Sequence, residues 1–371
     1  MYLSMVCDAS FFMNNEQLRR IMTEKKIQIG GQAVIEGVMM RGPDQIATAI
    51  RRKDGLIEIW EKPFVSVTKE HRLGKLPVIR GFVSLIEMMI LGFKTLSFSA
   101  DRSMLDMKNE EQPIAKLKPS FWQKIIPPKI EETLTFVFAF ILAFGLFGFV
   151  PYLLTGLIKI SNDNVLFNTS AGIMRIIFFV LYVYIISLTK DVRRVFEYHG
   201  AEHKSVFAHE QNVALTIDNV RPFTTIHPRC GTSFMFLVLL ISILLFSIID
   251  TLVDFFLCPY SEMPQYFFAL LMSEAKAKSL GAFLRLLFHL PFIPLISGIG
   301  YEIIKISSQY PKNVMINIFT FPGMALQKLT TKEPDDQQIE VAIVALKAAL
   351  KDDLSMHNPI KIINANDLET K

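Results

Sequence analysis

Two histidines and a glutamate that could bind a metal and move a proton lie close together in the middle of the chain, in the sequence H-G-A-E-H. His199 and His203 are four residues apart, so on a helix both imidazoles project from one face, with Glu202 beside them. Two neutral imidazoles bind a zinc-like ion, and a neighbouring carboxylate can accept a proton from water. The spacing matches the H-x-x-E-H motif of inverted zinc peptidases. It predicts His199 and His203 as metal ligands and Glu202 as a general base.

Further ligand-type side chains follow in the segment H-P-R-C, which contributes His227 and Cys230. With His209, four of the seven histidines of the chain lie within residues 199–227. If the loop folds back onto the helix, His227 and Cys230 add a third and a fourth ligand. A catalytic zinc keeps one position open, whereas four protein ligands including the cysteine indicate a structural metal. The alternative is a polar cluster without metal, in which Cys230 is a small buried thiol.

One acidic residue, Glu302, stands at the end of a long apolar run that is interrupted by prolines and glycines. A carboxylate within or at the edge of a membrane is costly and is usually paired or functional. We expect Glu302 either to serve as a third metal ligand or proton carrier, or to form a simple ion pair with Lys305.

The composition predicts a chain that is partly embedded in a membrane. Of its 371 residues, 51% are hydrophobic, and these concentrate in the central part of the sequence. The net charge is +4, and no run of Lys and Arg is interleaved with aromatic residues, so nucleic acid is not expected as a partner. The three cysteines, Cys7, Cys230 and Cys258, are too few and too far apart for a disulfide framework.

Four apolar runs reach the roughly 20 residues that cross the hydrocarbon core of a bilayer. They are residues 133–158, 171–188, 232–257 and 280–304. The segment 189–231 carries six Lys and Arg residues, whereas the segment between the first two runs offers little beyond Lys159. Because positive charge marks the cytoplasmic side, the His-rich loop 189–231 and both termini are expected in the cytoplasm. The sequence predicts a multi-pass protein of the cell membrane, with a membrane domain over 132–305 and the lipid bilayer as a partner.

Residues 76–131 precede the first run. Within them, the apolar segment 82–99 is short and carries Glu87 and Lys94. An interfacial or buried helix is favoured there over a fifth span. The rest, up to residue 131, is charged and is expected to form a cytoplasmic linker.

The two ends of the chain are predicted to be soluble and cytoplasmic. Residues 1–26 lack the apolar core of a signal peptide and are expected to form a tail or extension. Residues 27–75 are expected to form a small β-rich domain, because short β-prone runs flank an Asp-Gly turn at residue 54. In the C-terminal segment 306–371, apolar residues at helical spacing over 338–351 predict an amphipathic helix. The predicted fold is an α-helical polytopic membrane protein of about four spans with this β-rich domain and this C-terminal helix.

Four stretches carry a resemblance to one bacterial family: GGQAVIEGVMMRGP near the start, EYHGAEHK and HPRCGTSF in the middle, and LQKLTTKEPDDQQIEVAIVAL near the end. Over roughly residues 27–350 the chain resembles the YqhQ-like family of predicted metal-dependent membrane enzymes of unknown function. The resemblance implies a metal-dependent membrane protein and carries no substrate with it. The family's motif positions that it implies here are His199, Glu202, His203, His227 and Cys230.

Three classes of function fit these observations. The preferred one is a hydrolase of amides or esters that uses a divalent metal, expected to be zinc, at the cytoplasmic face. The second is a non-enzymatic assembly or regulatory factor, in which the β-rich domain and the C-terminal helix bind a membrane or cytoplasmic protein and the His/Cys cluster only fixes the loop. The third is a transporter, in which the broken fourth run and Glu302 serve an ion path.

Overall fold

The computed structural model describes residues 29–70, 74, 76–110, 128–157, 164–227, 230–257, 289–309, 314–354 and 360–364. The predicted tail over 1–26 lies outside the described residues, as does most of the charged linker that precedes residue 131. The described part of the chain is mostly helical and includes a five-stranded sheet.

Four strands form an antiparallel meander near the N-terminus. They are β1 (Gly30–Val34), β2 (Gly37–Arg41), β3 (Gln45–Arg51) and β4 (Ile57–Pro63). The predicted Asp-Gly turn joins β3 to β4, and Gly55 there has a φ of 86°, which glycine adopts without strain. The small N-terminal sheet predicted from the sequence is confirmed.

Helices follow the meander. α1 (Val67–Glu70) is a single turn, and α2 (Ile79–Glu110) has 32 residues. The other described helices are α3 (Pro128–Phe144), α4 (Val150–Leu157), α5 (Asn164–Ser187), α6 (Lys190–Glu210), α7 (Ile217–Val220), α8 (Gly231–Leu257), α9 (Ile293–Gln309), α10 (Val314–Thr330) and α11 (Asp336–Leu350). A π-helical turn, Gly145–Phe149, leads from α3 into α4, and a 3-10 turn, Leu290–Phe292, precedes α9.

Four of the described helical stretches are long and apolar enough to cross a membrane. They are Ile79–Asp106, Val137–Leu157, Val165–Ser187 and Gly231–Ile249. The last three coincide with the first three predicted runs, and together these stretches indicate a membrane protein. The fourth predicted run, 280–304, is described only from residue 289 onward, where it enters α9. The additional stretch lies in α2, where the sequence favours an interfacial or buried helix. The sides on which the loop and the termini lie stay predictions.

The C-terminal end of the chain completes the N-terminal sheet. β5 (Ile360–Asn364) pairs in parallel with β4, so that Ile57 lies opposite Ile360. α11 packs on β2 and β3 with one side and on α6 with another. Its side chains are therefore buried almost all round, including Ile339, Val344 and Ala348. The one-sided, amphipathic character predicted for this helix is wrong, because α11 lies inside the core.

α6 carries the H-G-A-E-H sequence and belongs to the same core. It begins after Thr189, two residues beyond the end of α5. Tyr198 and Ala201 of α6 are fully buried in one apolar cluster with Val38 of the sheet and Ile343 of α11. The predicted His-rich loop thus contains a 21-residue helix whose position is fixed by the sheet and by the C-terminal helix.

Candidate metal centre

The two histidines of α6 and the cysteine before α8 meet at one point. The rings of His199 and His203 have centroids 4.4 Å apart, and Cys230 Sγ lies 3.2 Å from His199 Nε2. His199, His203 and Cys230 each offer one ligand atom, and these three atoms lie within 4.8 Å of one another. Ligand atoms on one tetrahedral zinc lie roughly 3.5 Å apart, because Zn–N and Zn–S bonds are about 2.1 and 2.3 Å long. The three side chains are thus close enough to share an ion after small adjustments.

Backbone carbonyl groups orient both imidazole rings. His199 Nδ1 lies 2.8 Å from the carbonyl oxygen of Thr330, and His203 Nδ1 is hydrogen-bonded to the carbonyl oxygen of Thr225. Because a carbonyl oxygen only accepts, each ring donates from Nδ1 and keeps the lone pair of its neutral form on Nε2. Histidines that bind metals are commonly held in this way by their second nitrogen. This arrangement leaves the lone pairs of both Nε2 atoms available to a metal ion on the side of Cys230.

The centre is buried, and His203 favours the neutral form. His203 is 2% exposed and Cys230 is 7% exposed. Burial lowers the pKa of His203, while its hydrogen bond with Cys230 acts in the opposite direction. A neutral imidazole is the form that binds a metal ion, so the burial of His203 suits this role.

Glu202 lies on the same part of α6, beneath the edge strand β1. The amide of Gly31 donates a hydrogen bond to its carboxylate. A Cβ atom on Gly31 would lie 2.8 Å from Glu202 Oε1, so only glycine lets the strand approach this closely. Burial raises the pKa of Glu202, whereas the neighbouring His199 and His227 lower it. A buried carboxyl group with a raised pKa beside two imidazoles is suited to accept and return a proton.

His227 lies next to the three ligand atoms but outside the group that they form. Its ring centroid is 5.6 Å from that of His203, and its Nε2 lies 3.5 Å from Glu210 Oε1. The side chain of Gln327 holds its backbone, accepting from the amide and donating to the carbonyl oxygen of His227. Burial lowers the pKa of His227 to about 4, with Glu202 opposing this shift. The structure therefore places the predicted fourth ligand in the layer around the cluster.

Glu302 is not brought to the cluster. Both of its carboxylate oxygens accept hydrogen bonds from the guanidinium group of Arg80 in α2. The sequence offered Lys305 as the ion-pair alternative, and the structure gives this role to Arg80. Among the described residues, the group of potential ligands comprises His199, His203 and Cys230.

Gly200 supports the centre, although no chemical role for this glycine follows from the sequence alone. A Cβ atom at this position would lie 2.1 Å from the carbonyl oxygen of Lys332. The amide of Lys332 in turn donates to the carbonyl oxygen of Phe196 at 2.9 Å. The segment that supplies the Thr330 carbonyl therefore rests directly on α6, and this contact requires a glycine.

Lys204 is a second supporting residue that sequence reasoning missed. It is 2% exposed, and its ammonium group donates to the carbonyl oxygen of Arg221 at 2.7 Å and to the carboxylate of Glu333. It joins α6 to both segments that provide carbonyl groups to the histidines. The family motifs include Gly200 and Lys204, but only the fold explains why these residue types are needed.

Comparison with known proteins places the chain in a family. A family described as "Protein of unknown function (DUF1385)" matches residues 76–352. The chain belongs to this family. It is also 32% identical, over 323 residues, to the "Uncharacterized protein YqhQ" of Bacillus subtilis (strain 168), covering 87% of this chain and 92% of that protein. The predicted resemblance is thereby confirmed.

No solved structure matches the chain. The region matched by the family begins after β4 and contains His199, Glu202, His203 and Cys230. Membership therefore covers the candidate centre, while neither the family description nor the name of the relative assigns a reaction to it.

Proposed function

We propose that the chain is a membrane metalloprotein in which His199, His203 and Cys230 bind a zinc ion and Glu202 acts as the proton-transfer group of a hydrolase. The observation that carries this proposal is the convergence of the three ligand atoms within 4.8 Å, together with the hydrogen bonds that tie both Nδ1 atoms to carbonyl groups. Such hydrogen bonds to the second ring nitrogen are typical of histidines that bind a metal.

The chemistry of the ligand atoms indicates which kind of metal ion the proposed site would bind. Imidazole and thiolate groups favour zinc and similar ions, whereas magnesium and calcium prefer oxygen ligands. Three protein ligands leave the fourth position of a tetrahedral zinc open, as in catalytic zinc sites. The proposal therefore places a substrate, rather than His227, in the fourth position.

The residues of the chain have separate tasks in the proposed reaction. When bound, the zinc ion would act as a Lewis acid toward the carbonyl group of an amide or ester. Glu202 accepts a proton from the attacking water and returns it to the leaving group, and burial raises its pKa, so that it holds the proton between the two transfers. The amide of Gly31 keeps the carboxylate in place during both transfers. We place the reaction at the cytoplasmic face, following the charge of the loop 189–231.

A structural metal is the second candidate function, and a specific observation favours it. Three separate segments meet at the cluster: α6, the segment that contributes Thr225 and Cys230, and Thr330 at the end of α10. A metal there would cross-link the three segments. This structural role would be sufficient for a non-enzymatic membrane factor that binds a protein partner.

Metal analysis of the purified, detergent-solubilised chain tests the site itself. We expect about one zinc per chain, by the three-ligand site proposed above. His199→Ala, His203→Ala and Cys230→Ser should each lose most of it. His209→Ala is the matched control, because His209 lies on the same helix and outside the ligand group. A wild-type protein that contains no metal and takes up none on addition of zinc would contradict the proposal.

Glu202→Gln distinguishes the two candidate functions. The amide keeps the size of the side chain and an oxygen for the Gly31 hydrogen bond, so fold and zinc content should stay as in the wild type. For a hydrolase, the rate on a panel of amide and ester reporter substrates should fall by roughly 10²- to 10⁴-fold. For a structural metal, Glu202→Gln should match the wild type in every property, including complementation of a deletion strain.

A further inference from the structure

α2 lies along the sheet for most of its length. Leu91 packs with Met39 of β2, and seven residues further on Phe98 packs with Trp60 of β4. The rings of Trp60 and Phe98 have centroids 5.4 Å apart. These side chains lie on the face of the sheet opposite α11, because neighbouring residues such as Val38 point into the α11 core. The sheet is thus covered by α11 on one face and by α2 on the other.

Polar contacts continue this attachment along α2. They join Glu87 to Ser66 Oγ at 2.7 Å, Ser99 Oγ to the Ile35 amide at 3.2 Å, and Asp106 to the Arg52 guanidinium at 2.6 Å. At about 1.5 Å per residue, the stretch between the first and the last contact is roughly 30 Å long. α2 is therefore attached to the sheet and to the connections that follow its strands over a length comparable to the thickness of a membrane.

This attachment excludes α2 from the hydrocarbon core, although the helix is long and apolar enough to cross it. A crossing α2 would carry the sheet into the lipid, where the backbone groups of an open sheet edge have no partners. The ion pair between Arg52 and Glu58 would enter the lipid together with the sheet. Lys94, near the middle of α2, is exposed, and a lysine that faces lipid at mid-bilayer is costly.

The opposite side of α2 carries an apolar stripe. The stripe consists of Ile86, Met89, Ile90, Phe93 and Leu96, which are 39 to 58% exposed in the described part of the chain. Spacings of three and four residues place them on one helix face, and Lys94 stands at the edge of that face. A helix with an apolar stripe and a lysine at its rim is typical of the interface between membrane and water. The lysine can then extend its charge to the lipid headgroups.

The first turns of α2 connect the stripe to the membrane helices. A Cβ atom on Gly81 would lie 3.0 Å from the Cα atom of Gly298 in α9, and Arg80 pairs with Glu302 of the same helix. Ile296 of α9 packs in turn in an apolar cluster with residues of α8, whose first part is long and apolar enough to span. The stripe therefore continues from a contact with the membrane helices, and this continuity favours lipid as its cover.

We propose that α2 lies parallel to the bilayer surface, with the apolar stripe inserted among the phospholipids of the adjacent leaflet. The turn between β1 and β2 contacts both α2, through Ile35 and Ser99, and α6, through Glu36 and Arg194. An α2 fixed on the leaflet thus holds α6 and its histidines at a set distance from the lipid surface. The proposal does not depend on whether a metal is bound.

Depth-dependent fluorescence quenching tests this placement. The full-length chain, with Cys7→Ser and Cys258→Ser, is given one added cysteine as Ile86→Cys, Ile90→Cys or Phe93→Cys. Cys230 is retained because it is buried, and the parent without an added cysteine sets the background. Each labelled protein is reconstituted into vesicles of phosphatidylethanolamine and phosphatidylglycerol that contain nitroxide lipids quenching at a shallow or a deep position.

The three positions should be quenched equally, and mainly by the shallow nitroxide, because a helix parallel to the surface keeps them at one depth. A depth that changes by about 10 Å from residue 86 to residue 93 would overturn the proposal in favour of a span. Absence of quenching at all three would overturn it in favour of a protein cover. Ile362→Cys, exposed on the other face of the sheet, is the unquenched control. Met89 and Leu96 replace any position whose variant does not elute like the parent.

Discussion

At the scale of residues, the candidate centre depends on close backbone contacts as much as on its ligands. Thr225 and Thr330 contribute only carbonyl oxygens, yet these fix the two histidine rings. Gly31 and Gly200 have no side chain, and this lets β1 and the Lys332 segment approach α6 closely. Substitutions at the glycines should therefore disturb the centre without removing a ligand.

Gly200→Ala tests this dependence. The added Cβ atom would lie 2.1 Å from the carbonyl oxygen of Lys332, so the Thr330–Lys332 segment must move away from α6. We expect a loss of stability on the order of 1–3 kcal/mol and a reduced affinity for zinc, measured by thermal unfolding and by metal titration in detergent. Gly156→Ala is the matched control, because this helical glycine has open space at the Cβ position. Equal behaviour of the two variants would contradict the role given to Gly200.

His227 predicts how stability depends on pH. Burial lowers its pKa from 6.5 to about 4, so between these values the unfolded chain binds a proton that the folded chain does not. The contribution of His227 to the free energy of unfolding is therefore fully present above pH 6.5. It decreases as the pH falls toward 4, by up to about 1.4 kcal/mol per pH unit. Thermal unfolding between pH 7.5 and 5, with a chelator present, should show this slope in the wild type. Because the raised pKa of Glu202 acts in the opposite direction, the slopes of the wild type and of His227→Asn are compared. His227→Asn should lose less stability on acidification than the wild type, and equal slopes would contradict the assignment.

At the scale of elements, the sequence predicted what local patterns determine and missed what distant partners determine. The four-residue spacing of His199 and His203 and the Asp-Gly turn are local signals, and both describe the structure. The hydrogen bond of Cys230 to α6 needed a loop to fold back, which the sequence offered only as a condition. Glu302 finds its partner 222 residues away in Arg80, and no local pattern reveals such a pair.

The C-terminal elements show the same limit. Residues Ile360–Asn364 form a strand too short to be recognised from its own sequence, and its partner β4 lies near the other end of the chain. The helix α11 was predicted as amphipathic because its apolar residues follow helical spacing. Small residues such as Ala342, Ala345 and Ala349 complete its surface and allow neighbours to pack on several sides. Burial on all sides is a property of the packing partners, and these cannot be read from the helix alone.

Two adjacent isoleucines test whether β5 is an integral part of the sheet. Ile363 is 7% exposed and lies opposite Trp60, whereas Ile362 is 52% exposed. Ile363→Asn should lower the stability by on the order of 2 kcal/mol or more, because it buries an amide and leaves a gap. Ile362→Asn should change the stability by less than about 0.5 kcal/mol. Thermal unfolding of both variants in detergent measures the difference, and similar values would show that β5 is not packed as described.

At the scale of the whole molecule, both ends of the chain build one unit around α6. A single apolar cluster contains Val38 and Ile59 of the sheet, Tyr198 of α6, and Ile343 and Leu346 of α11. The chain leaves this unit for its long apolar helices and returns to it twice, once for α6 and once for α11. The candidate metal centre lies where these returning segments meet, so its occupancy should influence the unit as a whole.

Removal of zinc should therefore destabilise the entire unit in one step. A metal that binds only the folded chain stabilises it by RT ln(1 + [L]/Kd), or about 4 kcal/mol at a thousand-fold excess over Kd. Thermal unfolding followed at Trp60, in a chain that carries Trp122→Phe, should shift to lower temperature on addition of a chelator and return when zinc is restored. His203→Ala should show no shift, while His209→Ala should shift like the wild type. If zinc-loaded wild-type protein unfolds at the same temperature with and without the chelator, the ion does not connect the three segments. An ion that connects them would stabilise the folded unit.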